Sequence, residues 1–237
     1  MADDAAEQTA RYKREAAEAA VERFFHGGMR VGLGTGSTAA FVVRALAARR
    51  ERGLLLDVLG VPTSLATEAL ARELRVPLTT LDAHPVLDVT IDGADEVAPE
   101  LSVIKGGGGA LLREKIVAQA SRRVVIVADV AKLSPRLGTH GPVPVEVLPF
   151  GWRSQRLFLE SLGARVTPRA HADGTAFHTD QGNLVLDCAF GPIDAPSSLA
   201  ARLDARAGVV GHGLFLGLVT DLVVAGASGV EHRVPPP

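Results

Sequence analysis

At 237 residues the chain fits one large α/β domain, or a main domain carrying a smaller one. Its 47% hydrophobic and 22% charged residues and its formal net charge of -2 leave no excess of cation for a polyphosphate backbone, which argues against nucleic acid as a partner. One cysteine, Cys188, excludes an internal disulfide, and no stretch reaches the ~18 uninterrupted apolar residues of a membrane span, so a cytoplasmic protein is expected.

Residues 9–25 place Ala16, Ala20 and Phe24 at helical spacing, and Gly27 and Gly28 end that first amphipathic helix. MRVGLG reads as a buried strand running into glycines. STAAFVVRALAARR resumes helical spacing, with Ser37 or Thr38 as its cap and arginines in its last turn. LLLDVLGV, residues 54–61, reads as a strand, SLATEALARELR as a helix and LDVTIDGADEV as a strand ending in acids. SVIKGGGGALLREKIVAQAS and RRVVIVADVAKL continue the alternation expected of a parallel sheet covered on both faces.

After Lys132 the texture turns rich in proline and glycine, which places a domain boundary nearby. PVEVLPF, ARVTPRA, GTAFHTD and GNLVLDCAF are strand candidates, and WRSQRLFLESLG and SSLAARLDAR helix candidates, together a small α+β unit. TDLVVAG is expected to rejoin the first sheet.

Several segments can carry chemistry. GLGTGSTA, residues 32–39, sets glycines and hydroxyls between a strand and a helix, where free amides and the helix dipole hold phosphate. Ser37 stands where the dinucleotide fingerprint needs a glycine, and no P-loop lysine precedes the hydroxyls, so neither nucleotide motif is satisfied. Asp92, Asp95 and Glu96 lie at a strand's C-terminal end, suited either to Mg²⁺ or to sugar hydroxyls. Four consecutive glycines after Lys105 carry an entropic cost that close approach to a ligand would explain, and Lys105 can stand beside a developing oxyanion. Glu114 follows one turn into the next helix, and Lys132 ends another apolar strand, within reach of a phosphate. The seven histidines lack metal-ligand spacing.

GLGTGSTA, VPTS, TIDGADEV, IKGGGGALLREKIVA, VADVAKL, PVPVEVLPF and TDQGNLVLD, in that order, resemble the type A ribose-5-phosphate isomerases over nearly the whole chain. The resemblance implies a Rossmann-like α/β domain over residues 1–141 and 217–237, with a smaller, ferredoxin-like α+β domain over 142–216. It implies a sugar-phosphate substrate, no cofactor, no required metal and a homo-oligomer, a dimer first of all. Carried over by motif, Thr35, Gly36, Ser37, Thr38, Asp92, Gly93, Ala94 and Asp95 bind substrate, as do Lys105, Gly106, Gly107, Gly108 and Lys132. Glu114 falls on the family's proton acceptor, with Asp92, Asp95 and Lys105 assisting in catalysis. Either Lys13 or Arg14 is the basic residue that reaches the phosphate, and Ala131 replaces the serine common before Lys132.

Overall fold

The structure, a computed structural model, describes residues 2–236. Its elements begin with α1 (Ala2–Phe24), β1 (Arg30–Leu33), α2 (Ser37–Glu51), β2 (Leu59–Pro62) and α3 (Leu65–Glu73). There follow β3 (Val89–Gly93), β4 (Glu96–Val97), β5 (Val103–Ile104), α4 (Leu111–Gln119), β6 (Val124–Asp129) and a 3-10 turn at Val130–Lys132. Next come β7 (Val143–Val147), α5 (Trp152–Ser161), β8 (Arg165–Pro168), β9 (Leu184–Ala189) and α6 (Pro196–Asp204). The last are β10 (Val209–His212), β11 (Leu214–Phe215), β12 (Asp221–Gly226) and β13 (Gly229–Arg233). The chain divides into two compact units: Met1–Ala94 with Arg113–Lys132 and Gly217–Pro237, and Asp95–Leu112 with Leu133–Leu216.

The first unit is built on a six-stranded sheet ordered β13-β12-β6-β3-β1-β2, parallel except where β13 pairs antiparallel with β12. Its parallel part is a doubly wound order whose winding reverses between β1 and β3. Pleating sends alternate side chains to opposite faces. Val31 and Leu33 join the core made with Ala16, Ala20, Val42, Val43 and Leu46 of α1 and α2, whereas a Cβ on Gly32 would meet Val117 of α4 at 2.6 Å. Both faces are covered, so β3 and β6 are buried along their whole length, and β6 is apolar up to its terminal Asp129. Each buried Val or Phe contributes about 1.5–3 kcal/mol, so burial of Val21 and Phe24, more than intrinsic propensity, secures the end of α1.

The second unit runs β7-α5-β8-β9-α6-β10, an antiparallel sheet ordered β10-β7-β9-β8, which is the ferredoxin-like arrangement. Val143, Val145, Leu159, Val166, Leu186 and Leu203 fill its core. This unit begins at Leu133, where the texture changes after Lys132, and also takes in residues 95–112, so it exceeds the 142–216 stretch that the resemblance implies. The cause is a small sheet in which β5 pairs with both β4 and β11.

Some local expectations change. Residues 54–58 stay outside β2, because Leu54 and Leu56 face solvent and Asp57 turns the chain at φ 59. GTAFHTD forms only isolated bridges, Ala170↔Ala176 and His178↔Leu184, since Asp173 Oδ1 accepts from both the amide and the hydroxyl of Thr175 and makes a turn there. Neither Ser37 nor Thr38 caps α2; Gly36 holds the cap position with no side-chain hydrogen bond.

At the start of β12, fully buried Asp221 receives two bonds from Arg123, at 2.6 and 2.9 Å, one from Thr220 at 2.7 Å and one from His232 Nε2 at 2.7 Å. Burial works to raise this carboxyl, but the hydrogen bonds from Arg123, Thr220 and His232 and the Arg123 charge prevail and hold it below its ordinary value. A depressed native value gives stability that is present above the unfolded carboxylate value, about pH 4, and lost as pH falls through the native one. Asp221→Asn should therefore cost about 1–3 kcal/mol at neutral pH. Its Tm deficit should shrink as thermal scans are taken below about pH 4; a constant deficit would mean the carboxylate charge is not what stabilises.

Candidate functional site

Residues 34–38 and 92–94 lie at the C-terminal ends of β1 and β3, on either side of the winding reversal, where doubly wound sheets bind ligands. Asp92 is 2% exposed, and its Oδ1 accepts from the amides of Thr35 at 3.1 Å and Gly93 at 2.7 Å. Only glycine fits at position 34, since a Cβ there would stand 2.1 Å from Asp92 Oδ1. Thr35 Oγ1 lies 2.7, 2.8 and 3.2 Å from the hydroxyls of Thr63, Ser64 and Thr67. Thr63 and Thr67 donate in turn to the carbonyls of Leu33 at 3.0 Å and Gly34 at 2.9 Å. The first loop is thus held by a carboxylate on one side and a hydroxyl cluster on the other. Nothing local in the sequence marks Thr63, Ser64 and Thr67, of which only the first two fall in VPTS; they reach Thr35 only because β2 pairs with β1.

With Gly36 as its cap, α2 opens with first-turn amides that no side chain of the cap residue takes. Lys13 Nζ donates to Ser37 Oγ at 3.0 Å, whereas the Arg14 guanidinium lies 5.6 Å from the Phe41 ring centroid. Lys13 is therefore the cation beside this helix start. Thr38 packs toward Gly93, whose Cβ position would be 3.5 Å away. Glu114 occupies the first turn of α4, 4% exposed, where the helix dipole favours a carboxylate. Asp129 ends β6, buried, and its Oδ1 accepts the Ala131 amide at 3.0 Å, closing the turn that presents half-buried Lys132. The contact uses the backbone, so replacing the usual serine by Ala131 leaves it intact.

Asp95, Lys105 and residues 106–108 belong to the second unit. Lys105 follows β5 and is 4% exposed; its amide donates to Gly213 O at 2.9 Å, and its ammonium lies 5.7 Å from the Phe215 ring centroid. Asp95 donates its amide to Ile104 O at 2.8 Å, and its Oδ2 accepts the Gly107 amide at 2.8 Å. The glycine run has internal causes as well as any ligand: a Cβ on Gly107 would stand 2.7 Å from Asp95 Oδ1, and one on Gly109 2.4 Å from the Phe177 ring. Glu96, grouped with Asp92 and Asp95 by sequence, serves differently. Its oxygens accept the amides of Gly138 and Thr139 at 3.0 Å and His140 at 3.2 Å, which anchors that loop. Among the described residues no three His, Cys, Asp or Glu side chains cluster as a metal site requires, and no helix is long and apolar enough to cross a membrane.

Chemically, a buried carboxylate at Glu114 can move a proton, a buried ammonium at Lys105 can receive negative charge, and Lys13 beside the open start of α2 suits an anion. The family model described as ribose 5-phosphate isomerase A (phosphoriboisomerase A) matches residues 59–229. A ribose-5-phosphate isomerase A of Chloroflexus aurantiacus is 57% identical over 220 residues, 93% of this chain and 92% of that protein. The solved ribose 5-phosphate isomerase of Plasmodium falciparum superposes with a TM-score of 0.92 at 37% identity, covering 95% of this chain and 98% of the other. A solved D-ribose-5-phosphate isomerase in complex with phospho-erythronic acid superposes with a TM-score of 0.92 at 35% identity, covering 94% and 98%.

Proposed function

The chain belongs to the ribose 5-phosphate isomerase A family, and from that membership we infer that it interconverts D-ribose 5-phosphate and D-ribulose 5-phosphate, a step of the non-oxidative pentose phosphate pathway. The observation that carries the mechanism is the carboxylate of Glu114, 4% exposed in the first turn of the helix that follows the glycine run. Glu114 takes the proton from C2 of the open-chain aldose, leaving a cis-enediolate with its charge on O1. The hydrogen of the O2 hydroxyl passes to O1, and Glu114 returns its proton to C1, which leaves the carbonyl at C2. Lys105 and the amides of Gly106 and Gly108 receive the oxyanion charge, while the Gly107 amide holds Asp95. Asp92 and Asp95 hold the sugar oxygens for ring opening and hydroxyl proton transfer. Thr35, Gly36, Ser37 and Thr38 bind substrate with Gly93 and Ala94, and Lys13 and Lys132 hold phosphate oxygens.

The reaction as written balances without a cofactor or metal. We place the enzyme in the cytoplasm, as a homo-oligomer and first of all a dimer. A reducing compartment suits Cys188, whose thiol is pushed up to about 12 by burial and, secondarily, by the charge of Asp187, and so stays unreactive.

Protein dialysed against EDTA and incubated with ribose 5-phosphate in D₂O should form ribulose 5-phosphate carrying deuterium at C1, followed by NMR. No ketose in that sample would sink the reading, and ketose only after Mg²⁺ is added would put a metal in the mechanism. Lys132→Ala should raise KM about 10-fold with kcat within about 3-fold, since a phosphate contact remote from C1 and C2 is uniform binding. A fall in kcat alone would move Lys132 into the chemistry.

A further inference from the structure

Arg169, directly after β8, lies against the carbonyl side of the glycine run. Its Nη1 donates to Gly106 O at 2.8 Å and to Gly107 O at 3.1 Å. The rest of the fork is engaged by Asp187 of β9: Nε donates to Oδ2 at 3.0 Å and Nη2 to Oδ1. The guanidinium centre stands 5.7 Å from the Phe177 ring centroid, and that ring closes on Gly109. The backbone is fixed as well, by bonds from Arg169 N to Val185 O at 2.8 Å and from Phe177 N to Arg169 O at 3.1 Å. The Arg169 side chain is 15% exposed. One cation, with its own counterion, is thus aimed at two successive carbonyls of the segment read above as substrate-binding.

A trans peptide is planar, with its N–H directed opposite to its C=O. Holding the Gly106 carbonyl turns the Gly107 amide away from Arg169, and the structure finds that amide on Asp95 Oδ2 at 2.8 Å. Holding the Gly107 carbonyl turns the Gly108 amide away in the same manner. A cation on a carbonyl also polarises the peptide and strengthens its N–H as a donor. Glycines, which have the widest backbone freedom, need such a restraint most.

We propose that Arg169 is a positioning residue for the isomerisation, one that fixes and polarises two peptides of the glycine run so that the Gly107 amide holds Asp95 and the Gly108 amide meets the substrate oxyanion. Asp187 aims the guanidinium. This rests on the reading that residues 105–108 receive charge from the substrate.

In Arg169→Ala, kcat should fall on the order of 10²-fold, the scale of a small misplacement of catalytic groups, with KM within about 3-fold. Millimolar guanidinium chloride should restore at least about 10-fold of that loss, against a KCl control. Arg169→Lys keeps the charge without the fork that reaches both carbonyls and Asp187, and should be nearly as impaired. The idea fails if Arg169→Ala keeps kcat within about 3-fold, if only KM rises, or if Lys restores full turnover. Should Arg169→Ala not fold by circular dichroism, Asp187→Asn decides: about a 10-fold loss of kcat supports the proposal, and unchanged kcat overturns it. Lys105→Ala, assayed alongside, separates the two ideas. Wild-type turnover there overturns the site reading, whereas an impaired Lys105→Ala beside an unimpaired Arg169→Ala overturns only the role of Arg169.

Discussion

Glu114→Gln should lower kcat by about 10²–10⁴-fold, the share that a positioned general base supplies, while ribose 5-phosphate still binds with affinity within about 3-fold. Glutamine keeps the volume and most of the hydrogen bonding of glutamate and lacks only the basic oxygen, so the loss reports proton transfer rather than packing. Glu114→Asp keeps the charge and retracts it by one methylene; a displacement near 1 Å costs on the order of 10²-fold, so this variant should be impaired as well. The helix makes the test clean. Glu114 lies in the first turn of α4, and the neighbouring Leu111 and Val117 are buried and anchor that helix, so its backbone should hold when one side chain changes. Turnover and isothermal titration with ribose 5-phosphate on the same preparations check both halves. If Glu114→Gln turns over at the wild-type rate, the carbon base is another carboxylate, and Asp92 and Asp95 become the residues to mutate.

Whatever depends on the burial of whole strands was legible in the sequence. VVIVAD reads as a strand because all six of its residues are buried, and TDLVVAG rejoins the sheet beside it for the same reason. Apolar content misled where it was not buried: Leu54 and Leu56 extended the expected β2, yet both face solvent before the left-handed turn at Asp57. Candidate residues that a local motif marks, such as Asp92 after an apolar run or Lys105 before glycines, can be picked out from the chain alone. Those whose role comes from pairing could not. Thr63 and Ser64 meet Thr35 across 28 and 29 residues of sequence, and Glu96 is drawn from its acidic neighbours by amides 42 to 44 residues away. Ser37 looked like a cap from its residue type, but a cap is set by backbone conformation, and Gly36 at φ 102 takes that position.

Lys105→Met should lower kcat by about 10²–10³-fold, the effect of removing one oxyanion donor, and leave KM within about 3-fold, because the charge it meets exists only once the C2 proton has left. Lys105 is 4% exposed, with its ammonium 5.7 Å from the Phe215 ring centroid, and methionine fills much of the same space without the charge. A loss of turnover out of proportion to any fall in Tm reports the missing cation, whereas a lysine kept only to hold β5 against β11 would lose stability and activity together. Ribose 5-phosphate, whose carbonyl carries no full charge before the proton leaves, should bind with affinity within about 3-fold of the parent chain. Weakening of its binding in step with turnover would reassign Lys105 to ground-state binding and leave the developing charge to the backbone amides of the glycine run.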